Sequence, residues 1–129
     1  MQCCGRNYMF ETNPFSEFMK IELTQVSEEA ACGRLVFRRD LSDSLGHMTG
    51  AAYNALGDAV AGACARANGS TYVTQNASMQ YYVSTEEGDT LLARAVLRHR
   101  GSRTCIVDVE LTHGDGTIVS DGQFSYSKI

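Results

Sequence analysis

The sequence lacks several features that would assign it to a common functional class. No uninterrupted apolar run approaches the ~18 residues of a membrane span, so we expect no transmembrane segment. There is no G-x-S-x-G motif and no Gly-rich phosphate loop of the Walker or dinucleotide type. No cysteine pair has the C-x-x-C spacing, and the three histidines do not cluster with cysteines. We therefore expect neither a zinc site nor a disulfide framework.

A basic excess is also missing, since 11 Lys and Arg stand against 15 Asp and Glu for a net charge of -4. This balance argues against a nucleic-acid partner. The N-terminal segment MQCCGRNYMF has no apolar h-region, which argues against a signal peptide. Five scattered cysteines, with Cys64 and Cys105 in core-like patterns, favour a reducing, cytoplasmic location. The 129 residues are enough for one domain, spanning 1–129.

The pattern of apolar residues predicts the order of helices and strands. Asn13-Pro14 is typical of a helix start, so a short helix should cover about 14–19. Alternation of apolar residues predicts two strands, one through Met19, Ile21 and Leu23 and one through Gly33, Leu35 and Phe37. A long helix follows, with Gly69 as its stop signal. Four further alternating segments occupy 72–83, 90–99, 103–112 and 118–126, and the last three should form an antiparallel meander.

This order of elements predicts an α+β protein. About six antiparallel strands need their apolar face covered, and only one long helix is present to cover it. The sheet should therefore wrap around that helix. This is the element order of a hotdog fold.

The long helix carries the segment TGAAYNALGDAVAGACARA, residues 49–67, in which Asp58 is the only charge before Arg66. On a helical wheel a core stripe is formed by Tyr53, Leu56, Val60 and Cys64, with Ala63 and Ala67 beside it. Asp58 lies about 170° from that stripe, and small or neutral residues surround it: Ala51, Asn54, Ala61 and Ala65. A face turned to water would carry more charge, so we expect it to meet a second subunit. The sequence thus predicts a homodimer with Asp58 at or near the interface.

From Asn13 to Tyr126 the chain resembles the hotdog-fold acyl-CoA thioesterases of the phenylacetyl-CoA thioesterase (PaaI-like) branch. The resemblance rests on NPFSEFMKIEL, SDSLGHMTGAAYNALGDAVAGA, VSTEEGDTLLARAVLRHRGSRTCIVDVEL and DGTIVSDGQFSY. It implies that the backbone N–H of Gly50 polarises the thioester carbonyl and that Asp58, eight residues later, acts as general base or nucleophile. The assembly is expected to be a homodimer or a dimer of dimers (a homotetramer), and thioester hydrolysis needs neither a metal nor an organic cofactor.

Other candidate residues follow from the same resemblance. Asp43 stands where the family often has Asn or Gln to orient water or substrate, and Thr74 where it has a Ser or Thr that helps position the water. His47 is displaced upstream of the helix mouth, where it could border the pocket. Asn76 and Gln80 share the alternation of Thr74 and line either the acyl pocket or the solvent face.

A group of arginines around one predicted hairpin is a candidate for the phosphates of coenzyme A. We keep Arg100 and Arg103 in that role. Arg94 is set aside because pairing Leu97 with Cys105 would place it opposite Asp108 as a cross-strand ion pair.

Two other functions fit the same fold. One is a non-catalytic acyl-CoA-binding domain, which would bind the thioester without turnover. The other is a hotdog dehydratase, in which His47 and Asp58 would share proton transfer on a 3-hydroxyacyl thioester.

Overall fold

The computed structural model describes residues 13–129, and the local signals in the sequence set where its helices begin and end. Helix α1 runs from Pro14 to Met19, and the side chain of Asn13 caps it by accepting a hydrogen bond from the Ser16 amide at 2.8 Å. The alternation placed Met19 in the first strand, but in the structure Met19 is the last residue of this helix. Helix α2 covers Gly50–Arg66. Beyond it, Gly69 adopts a φ of 87°, a left-handed conformation that favours glycine.

Six strands form the rest of the domain. They are β1 (Glu22–Val26), β2 (Ala30–Val36), β3 (Tyr72–Tyr81), β4 (Thr90–Arg100), β5 (Thr104–His113) and β6 (Ile118–Lys128). One turn of 3₁₀ helix, Arg39–Leu41, lies between β2 and α2.

All six strands belong to one antiparallel sheet in the order β1-β2-β4-β5-β6-β3. The meander of β4, β5 and β6 is confirmed, and β3 lies at one edge of the sheet beside β6. Helix α2 contacts all six strands, so the sheet wraps around it. The predicted hotdog fold is confirmed.

The core lies between α2 and the concave face of the sheet. The predicted helix stripe of Tyr53, Leu56, Val60 and Cys64 is buried against inward residues of β5, which are Cys105, Val107, Val109 and Leu111. The helical wheel placed Ala61 and Ala65 around Asp58, on the face opposite the core stripe, and Ala67 beside the stripe. In the structure Ala61 and Ala65 are fully buried within the chain, and Ala67 is exposed. Strands β3 and β6 curve around the helix far enough to cover part of its second face.

Four register shifts interrupt the pairing of the described strands, and two of them, both β-bulges, change which way candidate side chains face. One lies in β3 between Thr74 and Asn76, and the other in β4 between Leu97 and His99. Each inserts one extra residue, so side chains on either side of the bulge no longer alternate in step. The observed register also differs from the expected pairing: Leu97 pairs with Val107, and Arg94 lies opposite Glu110. Asp108 instead forms its ion pair with Arg98, at 3.2 Å.

Cys64 and Cys105 are free thiols buried in the core. Burial, the largest cause, raises the pKa of the Cys64 thiol to about 11. Cys32 is disulfide-bonded, which departs from the expectation that the chain has no disulfide framework. Between residues 13 and 129, no helix is long and apolar enough to cross a membrane.

Candidate active site

Asp58 lies in the middle of α2, where its side chain is half-buried. Its Oδ1 accepts two hydrogen bonds, one from the Thr74 hydroxyl and one from the Tyr126 hydroxyl, each at 2.9 Å. The Tyr126 hydroxyl is also 3.2 Å from the Asp58 backbone carbonyl. No group in residues 13–129 donates to Oδ2. One carboxylate oxygen is thus held by two donors, while the other is available to a ligand or water.

Thr74 and Tyr126 reach the same oxygen because they are register partners on β3 and β6. Directly paired residues of antiparallel strands point to the same face of the sheet. In regular alternation Thr74 would share the outer face with Asn76. The bulge between them turns Thr74 toward the helix and leaves Asn76 on the opposite face.

Tyr126 is a site residue that sequence reasoning assigned only to the core. Its ring is fully buried and stacks with Phe124, the ring centroids lying 6.4 Å apart. Burial is the main cause that raises the pKa of Tyr126, and the Asp58 charge and hydrogen bond raise it further. The phenol therefore remains a neutral donor. The available signal was that a buried tyrosine hydroxyl usually has a hydrogen-bond partner.

Gly50 is the first residue of α2 and is exposed. The preceding Thr49 makes no side-chain cap, and within the described chain neither the Gly50 nor the Ala51 amide has an acceptor. Free amides and the helix dipole make such a helix start favourable for negative charge. The Tyr81 hydroxyl donates to the Gly50 carbonyl at 3.3 Å, and its ring lies 3.7 Å from where a Cβ on Gly50 would be.

Gly50 and Asp58 do not meet within one chain. They are eight residues apart in α2, which at 1.5 Å per residue separates them by about 12 Å along the helix. An amide at that distance from the carboxylate cannot share one substrate carbonyl with it.

Asp43 and His47 lie in the exposed loop before α2. The Asp43 Oδ1 accepts hydrogen bonds from the amides of Leu45 at 2.8 Å and His47 at 3.0 Å. The Asp43 amide in turn donates to the His47 carbonyl at 2.7 Å. Asp43 therefore shapes this loop, and the His47 ring forms no hydrogen bond with the described residues.

The two candidate arginines differ in their contacts. The second bulge turns Arg100 inward, where its guanidinium donates to the carbonyls of Ala65 at 2.9 Å, Glu28 at 3.0 Å and Cys64 at 3.3 Å. Arg100 thus binds the C-terminal carbonyls of α2 and is not free for a phosphate. Arg103 is exposed in the turn between β4 and β5.

Two further observations concern the groups around this site. Over residues 13–129, no group of three or more His, Cys, Asp or Glu side chains is arranged to hold a metal ion. Asn76 and Gln80 do not join the site; Gln80 lines a shallow depression on the outer face of the sheet. What remains is a carboxylate with one free oxygen, which can take a proton from water or attack a carbon.

Comparisons with known proteins agree with this fold. The sequence model of the family described as "Thioesterase superfamily" matches residues 45–120. S. sahachiroi AziG is 23% identical with a TM-score of 0.88, over 92% of this chain and 98% of that one. A mutant of the phenylacetic acid degradation protein PaaI from Thermus thermophilus is 23% identical with a TM-score of 0.86, over 91% of this chain and 100% of that one.

A third similar structure was solved with a ligand. It is a Streptococcus mutans protein bound to acetyl CoA, 23% identical with a TM-score of 0.87, over 95% of this chain and 97% of that one. A search of curated proteins finds no match.

Proposed function

The chain belongs to the thioesterase superfamily, and from this premise we propose that it is an acyl-CoA thioesterase that yields a free acid and coenzyme A. The observation that carries the proposal is the Asp58 carboxylate, whose Oδ1 is held by Thr74 and Tyr126 and whose Oδ2 accepts no hydrogen bond from the described residues. The PaaI and acetyl-CoA-bound structures with the same fold support a coenzyme A thioester as the substrate.

Asp58 carries the chemical step of the proposed reaction. As a general base, its Oδ2 takes a proton from a water whose oxygen bonds to the thioester carbon. The C–S bond then breaks, and the proton passes to the leaving thiolate. As a nucleophile, the same oxygen attacks the thioester carbon and forms an anhydride with the acyl group, while the C–S bond breaks and coenzyme A leaves as the thiolate. Water then hydrolyses the anhydride, which releases the free acid, regenerates the Asp58 carboxylate and supplies the proton of the coenzyme A thiol. Both routes use the same free oxygen, and in both Thr74 and Tyr126 fix the carboxylate in place.

Gly50 supplies the oxyanion donor in this proposal. Its free amide at the start of α2 points where negative charge develops on the thioester oxygen. A single donor of this kind is typically worth roughly 3 kcal/mol of the barrier. A side chain at this position would narrow the space beside Tyr81, which glycine leaves open.

Because Gly50 and Asp58 of one chain are too far apart, we propose that the site forms between two subunits of a homodimer. The edge strand β3 supports this assembly. Its ten residues, YVTQNASMQY, include no charge and no proline, and eight of them are exposed. Natural proteins usually protect an exposed edge strand with such residues, so an unprotected one favours pairing with another chain.

Several finer assignments belong to the same proposal. Asp43 and His47 would lie at the mouth of the pocket, and Arg103 would meet the phosphates of coenzyme A. A cytoplasmic location stays a prediction: Cys64 and Cys105 are free thiols, whereas Cys32 is disulfide-bonded. Association of dimers into a tetramer would extend this assembly without changing the site.

The proposed role of Asp58 is tested by Asp58→Asn, assayed for free thiol with aryl, short-chain and long-chain acyl-CoA substrates. Asparagine fills the same volume but is neither a base nor a nucleophile, so kcat should fall by about 10³-fold or more while the melting temperature changes little. The matched control is Asp115→Asn, which changes an acid in the turn after β5, remote from Asp58. Its kcat should equal that of the wild type.

Two results would reject this function. Turnover by Asp58→Asn within a few-fold of the wild type would remove the carboxylate from the mechanism. Binding of acyl-CoA in calorimetry without any release of thiol would instead identify a non-catalytic binding domain. A 3-hydroxyacyl-CoA in the substrate panel would reveal dehydration as loss of water without thiol release.

A further inference from the structure

The side chain of Arg66, in the last turn of α2, folds back over the face of the helix that carries Asp58. Its Nη2 and Nη1 atoms lie 2.8 and 3.1 Å from where a Cβ on Gly62 would be. Any side chain at position 62 would displace this guanidinium. Because Gly62 has no Cβ, the Arg66 guanidinium can lie directly against the helix at this position.

The helix surface over Gly62, where the guanidinium lies, is next to Asp58. Asp58 and Gly62 are four residues apart, and the Cβ atoms of such a pair on a helix are about 5–6 Å apart. The electrostatics of Tyr126, which donates a hydrogen bond to Asp58, also place Arg66 near this carboxylate. Burial is the largest cause that raises the pKa of Tyr126, and the positive charge of Arg66 lowers it. The guanidinium therefore lies about one helical turn from the proposed catalytic carboxylate.

Most of the hydrogen-bonding capacity of Arg66 is unused. Its one acceptor in residues 13–129 is the Tyr72 carbonyl, at 3.5 Å from Nη1, which is a long hydrogen bond. No carboxylate of the described chain lies within ion-pair distance of it. A guanidinium presents five donors in a planar fork that matches a carboxylate. Within residues 13–129, a cation without a counter-ion thus borders the site.

We propose that Arg66 is a specificity-determining residue that binds a carboxylate at the far end of the acyl group, so that the preferred substrates are short dicarboxylic acyl-CoA thioesters. The inference rests on the proposed thioesterase function and names its substrate class. The position of Arg66 favours the acyl end, because the phosphates of coenzyme A lie beyond the long pantetheine arm. An acyl carboxylate, in contrast, lies only a few bonds from the thioester carbon that Asp58 addresses.

The experiment compares glutaryl-CoA with pentanoyl-CoA, whose acyl groups have the same number of carbons but differ in the terminal carboxylate. Wild type should prefer glutaryl-CoA in kcat/KM. Arg66→Met should lower kcat/KM for glutaryl-CoA roughly tenfold, mainly through KM, since one charge-assisted pair at a partly exposed site is worth about that factor. Its kcat/KM for pentanoyl-CoA should stay unchanged.

Two further variants sharpen the comparison. Gly62→Ala keeps Arg66 but displaces its head, so it should reduce the glutaryl preference by about threefold while the fold is retained. Arg94→Met is the matched control, because it removes the same charge on the outer face of the sheet. It should leave both substrates unaffected.

The outcomes separate the two proposals. If pentanoyl-CoA is hydrolysed and Arg66→Met leaves the ratio of the two substrates unchanged, the inference about Arg66 fails and the thioesterase function stands. Weakened dimerisation of Arg66→Met with an unchanged ratio would assign the residue to the subunit interface and equally overturn the inference. If no thioester in the panel is hydrolysed, both proposals fall together.

Discussion

At the scale of single residues, the site depends on how one carboxylate is held. Asp58 has two neutral donors on the same oxygen, and these donors come from two strands far apart in sequence. A carboxylate fixed in this way needs little reorganisation when it takes a proton or attacks. Asp58 was identifiable from sequence because it is an isolated charge among small residues. Tyr126 was not, because its position also fits the apolar alternation of β6.

The role of Tyr126 is tested by Tyr126→Phe. The change removes one hydroxyl and keeps the buried ring, so Asp58 retains only the Thr74 donor. We expect kcat to fall by roughly 10- to 100-fold, since one hydrogen bond to a charged group is worth roughly 1.5–3 kcal/mol, with KM nearly unchanged. Steady-state kinetics with a coenzyme A thioester measures both parameters.

Tyr82→Phe provides a close control for this prediction. Tyr82 also donates its hydroxyl to an aspartate, Asp121, but on the outer surface of the sheet. Its loss should leave kcat within twofold of the wild type. Equal effects of the two substitutions would show that Tyr126 acts on the fold in general and not on Asp58.

At the scale of elements, the β-bulges decide which candidates reach the helix. The alternation of apolar and polar residues predicted all six strands, with the first one begun too early at Met19, but it placed Thr74 with Asn76 and Arg100 with Arg98. The bulge in β3 brings Thr74 to Asp58, and the bulge in β4 brings Arg100 to the end of α2. A bulge inserts one residue without any change of composition, so a pattern of period two could not reveal it.

Arg100 illustrates the consequence for stability. Its guanidinium binds the carbonyls of Cys64 and Ala65, and a cation at a helix C-terminus also interacts favourably with the helix dipole. Arg100→Met should therefore destabilise the fold by about 2 kcal/mol, given several charged hydrogen bonds at a half-exposed site. Urea unfolding measures this free energy.

The same variant also separates the structural and ligand-binding roles of Arg100. Its KM for acyl-CoA should match that of the wild type at a temperature where the protein is folded. A stable Arg100→Met protein with a greatly raised KM would support phosphate binding instead. Arg94→Met again serves as the control, with an unchanged free energy of unfolding.

At the scale of the whole molecule, the fold was predictable because each helix and strand signal agreed with one architecture. A single apolar stripe on α2 and the alternation along the strands predict about six strands, their antiparallel directions and a sheet that wraps around the helix. The second face of α2 was only partly predictable, because sheet curvature determines how much of it one chain covers. Ala61 and Ala65 are covered by the chain's own sheet, while Ala51 remains exposed and Asp58 half-exposed.

The proposed site between two subunits would also account for the separation of Gly50 and Asp58 within one chain. Among the described residues of one chain, the free amide of Gly50 and the free oxygen of Asp58 have no common partner. In a two-fold dimer each subunit supplies one of them to each of two equivalent sites. The uncharged edge of β3 would then be covered by the same assembly.

The most direct test mixes two inactive variants. Asp58→Asn removes the carboxylate, and Gly50→Pro removes the amide N–H at the first helical position, where proline is well tolerated. Each variant alone should be inactive. Unfolded and refolded together in equal amounts, they should recover about a quarter of the wild-type activity, because half of the dimers would be mixed and each mixed dimer would hold one intact site. A mixture as inactive as its two components, with mixed dimers shown to form, would contradict a site built from Gly50 of one subunit and Asp58 of the other.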